Sequence, residues 1–436
     1  MIIKQLHLEN FRNFTGNEFK FHDQFNLIIG INSTGKTAIL EALSIAAASW
    51  FLGLKEKADS RHIRKEDVTY IWNNAENSGF FNYPCKITAT AFIYENQITW
   101  QRSLESSHGR TTQKHAAKIV ELSKHIDEEI RNQQPVTLPI ISYYGTERLW
   151  QDPRQMEPKR VSNTRFDGYS NSVDSRIDKN KFISWFRKNY LVSLAEDRPL
   201  FEQVKTAILL NIECATDIKY DVDIEEIVVC IDNRWILLSQ LSDGYRSVLF
   251  IIADIALKAI TLNPHLGDKV LEEIKGVVLI DELDMHLHPR WQQTIIDSIR
   301  KTFPKIQFFV TTHSPFLIQS LHSEDELISL DNNIEYTPSN KSINDIARDV
   351  QNIETFEYSL RYKKAKEAAR ECLKKIQTDN EYMDELAHLN LSPSEKLEKF
   401  KHDLANPNIE LFAENPAYQA FLEMQFLKGL IDHETS

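Results

Sequence analysis

Cysteine is scarce and scattered. Cys85, Cys214, Cys230 and Cys372 stand far apart in 436 residues, and no two form a C-x-x-C pair. That distribution excludes the usual zinc and redox signatures and offers no disulfide framework, so a reducing, cytoplasmic setting is expected. Positive charge is also short. The formal net charge is −12, whereas a dedicated nonspecific DNA binder carries an excess of Lys and Arg. Long apolar runs are missing too. The longest, Ala38 to Leu54, is short for a membrane span and carries Glu41. It is expected to be a buried helix, with Gly53 as its C-terminal stop. No leader is expected at the N-terminus, where apolar Ile2, Leu6 and Leu8 among polar residues read as a strand. No internal repeat or low-complexity tract is evident.

What is present is a phosphate loop. Residues 30–37 read Gly-Ile-Asn-Ser-Thr-Gly-Lys-Thr, a complete G-x-x-x-x-G-K-[ST] pattern. It follows an apolar run, Phe25 to Ile29, and opens a helical stretch, Lys36 to Leu52, the strand–loop–helix context the motif requires. Gly30 and Gly35 let the backbone curl until its N–H groups face a phosphate, and the helix N-terminus adds partial positive charge. In such a loop Asn32, Ser33, Thr34 and Ala38 line the nucleotide. Lys36 reaches its terminal phosphates, and the Thr37 hydroxyl ligates Mg²⁺.

Hydrophobic content of 42% and charged content of 26% fit a soluble globular chain with material for two or three domains. Phe11 to Phe14 marks a turn between two N-terminal strands. Alternation returns from Phe80 to Leu104, with Glu95-Asn96 as the turn, and from Tyr220 to Leu238, with Asp232-Asn233 as the turn. Helical patterns cover 112–132, Lys181 to Leu210, Tyr245 to Leu262 and 290–302. Pro139 to Tyr144, Val277 to Ile280 and Gln307 to Thr311 are short apolar strands of the kind buried in parallel sheets. Residues 151–180 are polar and predict a loop. After about residue 340 the chain turns Lys/Glu-rich and helical, which places a domain boundary there. Two stretches lean basic, Arg154 to Arg165 and Arg361 to Lys375. A solvated helix surface accounts for the second better than a nucleic-acid or partner contact does.

Three further motifs carry chemistry. Gly276 to Ile280 ends in Asp281 and Glu282. Asp281 at the strand end is placed to hold Mg²⁺. Glu282, one residue on, points elsewhere and can polarise a water near the γ-phosphate. The plain alternative is a strand that ends in acidic turn residues. Leu241 to Tyr245, LSDGY, precedes a helix with Ser242 as a natural N-cap. Its Ser hydroxyl, Gly244 N–H and helix N-terminus form a second anion site, which is economical if it serves the nucleotide of another subunit; an ordinary capped helix is the alternative. His313 follows Thr311-Thr312 at a strand tip and can report loss of the γ-phosphate. Asp284, His286 and His288 could suggest a metal site, but a loop that meets an opposing subunit is the preferred reading.

In this order the elements resemble an ABC-type ATPase head. The implied fold is α/β: a P-loop NTPase with a mixed central sheet, an antiparallel lobe and a helical lobe, followed by a helical C-terminal region. The RecF/SMC/OLD-like group is the nearest, since it carries a similar strand to Leu8–Phe14. By that resemblance Arg12 and Asn13 lie near the nucleotide. DELDxHLHPxWQ from Asp281 to Gln292, with Gly168-Tyr169 and Trp185-Phe186, further resembles the PtuA-like ATPases of the Septu antiphage type and ATPases attached to some retrons. The resemblance implies ATP and Mg²⁺ as cofactors, with Lys36, Glu282 and His313 catalytic. It implies Thr37 and Asp281 on the metal, and Ser242 and Gly244 acting in trans within an ATP-sandwiched homodimer or higher even oligomer. It also implies a separate HNH nuclease partner, PtuB-like, and no membrane; DNA is a further candidate partner. The domains are expected at 1–340 for the head, with a helical or insert lobe at about 107–215, and at 341–436 for a helical partner-binding region. The alternatives are a RecF-like DNA-binding ATPase of repair or a retron-associated effector ATPase.

Two departures stand out. Asp243 and Tyr245 argue against a transporter cassette. No Gln ends the Pro139–Tyr144 strand where the family's metal-sensing Gln would stand, which leaves Glu147, Arg148 and Gln151 as candidates. Heptads of an SMC arm, a Toprim set and an HNH pattern are all missing, so the chain is not expected to cut nucleic acid itself.

Overall fold

The computed structural model describes residues 1–56, 61–149 and 164–331, and beyond them 342–343, 345–346, 367, 370–376, 378–403 and 424–428. Two compact units divide the chain, Met1–Gln351 and Asn352–Ser436.

N-terminal alternation becomes β1 (Ile2–Glu9), with Ile3, Leu6 and Leu8 buried. A tight turn closed by reciprocal Phe11–Phe14 backbone bonds leads to antiparallel β2 (Asn17–Lys20). The wholly buried β3 (Phe25–Ile29) runs through the 30–37 loop into α1 (Lys36–Ala47). A short hairpin follows, β4 (Tyr70–Asn73) with β5 (Ser78–Phe81), and then a longer one, β6 (Cys85–Ile93) with β7 (Asn96–Leu104). After α2 (Ala117–Arg131) come β8 (Ile140–Tyr144), α3 (Lys179–Ser193) and α4 (Pro199–Asn211). Three antiparallel strands, β9 (Ala215–Asp221), β10 (Glu226–Ile231) and β11 (Arg234–Leu237), precede α5 (Asp243–Leu262). The last sheet strands are β12 (Gly276–Ile280), β13 (Ile306–Thr311) and β14 (Leu327–Ser329).

The five strands β14-β3-β13-β12-β8 form one sheet in that order, and every pair in it is parallel. The antiparallel strands do not mix into it. They make their own four-stranded sheet, β2-β1-β6-β7, and a three-stranded one, β11-β10-β9. Helix α1 contacts β8, β12 and β13 of the parallel sheet and β6 and β7 of the antiparallel one. Covered on both sides, it is apolar around nearly its whole circumference, which explains the long apolar run in the sequence. Gln307 links the two sheets: it exchanges hydrogen bonds with Ile3 N–H (2.7 Å) and Ile3 C=O (2.8 Å). Phe182, Trp185, Phe186, Phe201 and Phe250 pack α3, α4 and α5 together through ring contacts. Among the described residues no helix is long and apolar enough to cross a membrane.

Several expectations need correction. The helix expected to Leu52 keeps α-helical form only to Ala47 and continues as a 3₁₀ turn, Ala48–Gly53. Gly53 is there for close approach, not as a left-handed stop. A Cβ on it would lie 2.0 Å from Ser123 Oγ and 2.4 Å from the Val120 carbonyl of α2. The long helix expected at Lys181 to Leu210 is two helices, because Pro199 lacks an N–H and restricts the residue before it. Likewise 290–302 divides into Pro289–Gln292 and Ile295–Thr302. Ile93 pairs with Asn96, so the turn of the long hairpin is Tyr94-Glu95. Asp232 and Asn233, both at positive φ (49° and 61°), make the turn expected of them. Residues 154–163 of the first basic stretch, and most of the second, lie outside the described residues.

In the C-terminal unit the described residues are mostly helical, with helices Asn380–Ala387 and Pro393–Asp403 and a small core that includes Cys372, Ile376, Met383, Leu386, Phe400 and Phe426.

Candidate functional site

All five strands of the parallel sheet point the same way, and each carboxyl end delivers a polar or charged residue. After β3 comes the loop 30–37, after β12 Asp281 and Glu282, and after β13 Thr312 and His313. Arg148 follows β8, and Asp331 follows β14. The rim beyond the carboxyl ends is where open parallel α/β sheets bind ligands.

The loop is shaped by its neighbours. Gly35, at φ +109°, takes a conformation that an L side chain rarely adopts, and a Cβ there would sit 2.7 Å from Cζ of Phe14. The N-terminal turn thus buttresses the loop: Phe14 packs under Gly35, and Asn13 Nδ2 donates to the Ser33 carbonyl at 2.5 Å. Arg12 goes elsewhere. Its guanidinium is held by Asp67 (2.9 Å) and by Glu41 of α1, and no hydrogen bond among the described residues joins it to the loop. Lys36 Nζ donates to the carbonyls of Gly30 (2.7 Å) and Ile31 (3.1 Å). Burial lowers the ammonium's pKa, while Asp331, then Glu282, Asp281 and Asp284, pull it back up. Asn32 and Ser33 are exposed at the tip, Thr34 is half-buried with its hydroxyl on Ile31 O, and Ala38 is buried in the first turn of α1.

Thr37 Oγ1 donates to Asp281 Oδ2 at 2.9 Å, and Thr311 Oγ1 donates to Asp281 Oδ1 at 2.5 Å. The hydroxyl and carboxylate that the sequence assigns to a metal are therefore side by side. Both are hard oxygen donors of the type Mg²⁺ takes alongside nucleotide phosphates and water. Glu282 stands beside them at φ +49°. Its N–H donates to Thr311 Oγ1 at 2.8 Å, and its C=O accepts from Arg148 Nη2 at 2.9 Å. His313 is exposed at the end of β13, between two locked residues. Thr312 Oγ1 donates to Asp284 (2.6 Å), and Ser314 Oγ donates to Gln292 (2.6 Å).

The LSDGY segment joins this cluster less directly. Ser242 caps α5 and accepts from Tyr245 N–H at 3.5 Å; it is exposed. Gly244 is buried against the same chain, where a Cβ would lie 2.3 Å from the His286 carbonyl. Among the described residues no hydrogen bond links Ser242 or Gly244 to residues 30–37. The Asp284–His288 turn is a packing element. His286 presses on the start of α5, and His288 Nδ1 accepts from Arg290 N–H at 3.3 Å. Among the described residues no group of three His, Cys, Asp or Glu could hold a metal.

Two participants, Thr311 and Asp331, had no assigned role from sequence, and a third, Arg148, was only one of three candidates for the missing Gln. Thr311 orients both carboxylate residues, Arg148 is fully buried behind them, and Asp331 Oδ2 accepts the Ile31 N–H at 2.6 Å. Of the three candidates for the missing Gln, Glu147 is exposed, Arg148 points inward, and Gln151 lies outside the described residues. Only Asp331 left no motif that could have found it. Taken together, loop N–H groups, a lysine ammonium, a hydroxyl–carboxylate pair and a second carboxylate can cradle a polyphosphate and activate a water against it.

Comparison with known proteins agrees with that chemistry. The family model AAA_21, described as "AAA domain, putative AbiEii toxin, Type IV TA system", matches residues 25–319. "Retron Vc95 probable ATPase" of Vibrio cholerae serotype O1 biovar El Tor is 24% identical over 393 residues, covering 77% of this chain and 74% of that one. "Retron Ec83 probable ATPase" of Escherichia coli is 24% identical over 402 residues, with 74% and 70% covered. "Septu protein PtuA" of Bacillus thuringiensis is 25% identical over 342 residues, with 76% of each chain covered.

Proposed function

The chain belongs to the AAA_21 family of AAA-domain proteins and is an ATPase; from that premise we propose that it is an ATP-switched dimer controlling a separate effector nuclease in bacterial antiphage defence. The observation that supports this most is the convergence of Lys36, Thr37, Asp281 and Glu282 on one sheet edge, while Ser242 faces outward with no partner in the loop of its own chain.

The loop binds the phosphates through its N–H groups and Lys36. Thr37 and Asp281 hold the Mg²⁺, which when bound neutralises phosphate charge. Glu282 orients and deprotonates the attacking water, and His313 senses the γ-phosphate. Ser242 and the N-terminus of α5 close over the nucleotide of a second copy, so two ATPs are buried per dimer. Loss of the γ-phosphate removes the differential affinity that favours the closed state. The residues from 341 onward dock the partner, an HNH nuclease of the PtuB type, and ATP keeps the complex silent until hydrolysis or depletion.

A tagged, native protein recovered from its host and analysed by mass spectrometry tests this. A small nuclease should co-purify and be lost on deleting residues 340–436. Recovery of polymerase-clamp or recombination factors, with no nuclease, would contradict it and favour a DNA-repair role.

A further inference from the structure

Arg148 is a fully buried cation that the proposed chemistry has not used. Among the described residues its guanidinium makes four hydrogen bonds, all to groups that bear on the site. Nε donates to Ser247 Oγ at 2.7 Å. Nη1 donates to the carbonyls of Gly145 (3.1 Å) and Asp281 (2.6 Å), and Nη2 donates to the carbonyl of Glu282 (2.9 Å). A planar, always-charged fork is the side chain suited to tying several carbonyls at fixed angles. Burial lowers its pKa to about 10, and the nearby carboxylates of Asp281, Glu282 and Asp284 counter that shift, so it stays charged at neutral pH.

The backbone it grips is unusual. Glu282 is a non-glycine residue at φ +49°, a conformation that persists only where the surroundings over-determine it. Here its N–H is held by Thr311 and its C=O by Arg148. On the other side Arg148 reaches Ser247, one turn into α5 beyond the LSDGY segment.

We propose that Arg148 is a positioning residue for hydrolysis: its guanidinium holds the strained backbone that aims the Glu282 carboxylate, and through Ser247 it couples that aim to α5, the helix that follows the LSDGY segment. When α5 shifts as a second copy closes, the shift reaches Glu282 through one side chain. Arg148 therefore supplies mechanically, through backbone carbonyls, a link that the missing Gln would have made through the metal. This role rests on Glu282 acting on the water, as proposed above.

The test uses the full chain. Arg148→Ala should lower kcat by about 10- to 100-fold, the weight of charge-assisted hydrogen bonds, while the ATP dissociation constant stays within about threefold. Arg148→Lys should recover part of the rate, and millimolar guanidinium chloride should raise the rate of Arg148→Ala but not of Glu282→Gln. Ser247→Ala should lower kcat less, and the double variant should be no slower than Arg148→Ala alone, because both changes break one path. A folded Arg148→Ala protein with kcat within about threefold of wild type overturns the proposal. So does a loss that neither Lys nor guanidinium relieves, or one that adds fully to Ser247→Ala. Should Arg148→Ala not fold, Ser247→Ala and Arg148→Lys decide alone: both at wild-type kcat overturn it. Glu282→Gln is run in parallel, and hydrolysis there at the wild-type rate would sink the reading of Glu282 rather than the clamp.

Discussion

Asp331 shows how single side chains set the phosphate loop's readiness. Its carboxylate accepts the Ile31 N–H, a donor of the kind a phosphate oxygen uses, and of the nearby carboxylates it does most to raise the pKa of Lys36 against the lowering effect of burial. On the proposed reading, a carboxylate at that spot repels an incoming triphosphate and occupies part of its cradle. Asp331→Asn should therefore tighten ATP binding by about three- to tenfold at low salt, with a smaller gain as salt is added. Titration with a fluorescent ATP analogue at two ionic strengths checks this, and an unchanged dissociation constant would remove Asp331 from the site. Thr311 works on the same scale. One hydroxyl donates to the Asp281 carboxylate and accepts the Glu282 N–H, so it ties the two neighbouring residues to one point at the end of β13.

At the scale of elements, the buttressing of α1 by its neighbours matters more than helix propensity. Gly53 lets α2 approach the end of the α1 layer, and Gly53→Ala would press a methyl against Val120 and Ser123. The cost should be about 1–3 kcal/mol, seen as a lower thermal midpoint. An unchanged midpoint would mean that α2 moves aside freely. The same glycine shows what sequence patterning can and cannot carry. Period and apolar runs located every strand of the parallel sheet except β14, because fully buried strands are written as unbroken apolar stretches. β14 is only three half-buried residues and has no such signature. Gly53 read as a helix stop because local pattern does not encode the distant α2 that packs on it. The loop and its two carboxylates were legible because their chemistry demands fixed residue types at fixed spacing. Arg148 was one of three open candidates, since its partners are backbone carbonyls 133 and 134 residues away. Gly168-Tyr169, quoted with the family motifs, is packing: Tyr169 Oη donates to the Pro139 carbonyl, and Gly168 lies against Leu262.

Across the whole molecule, the proposal turns on a site that one chain does not complete. Ser242 caps its own helix and faces outward, while Gly244 is packed on the His286 turn. The start of α5 therefore packs on its own chain through Gly244, while the exposed Ser242 is the residue that, on the proposed reading, meets a second copy. Sedimentation of Glu282→Gln with Mg-ATP is the most direct test of this central claim. The account predicts that it passes from monomer to dimer with ATP and not with ADP, and that Lys36→Ala or Ser242→Arg in the same background abolishes the shift. A Glu282→Gln protein that stays monomeric in saturating ATP, or that dimerises equally well with Ser242→Arg, would contradict it.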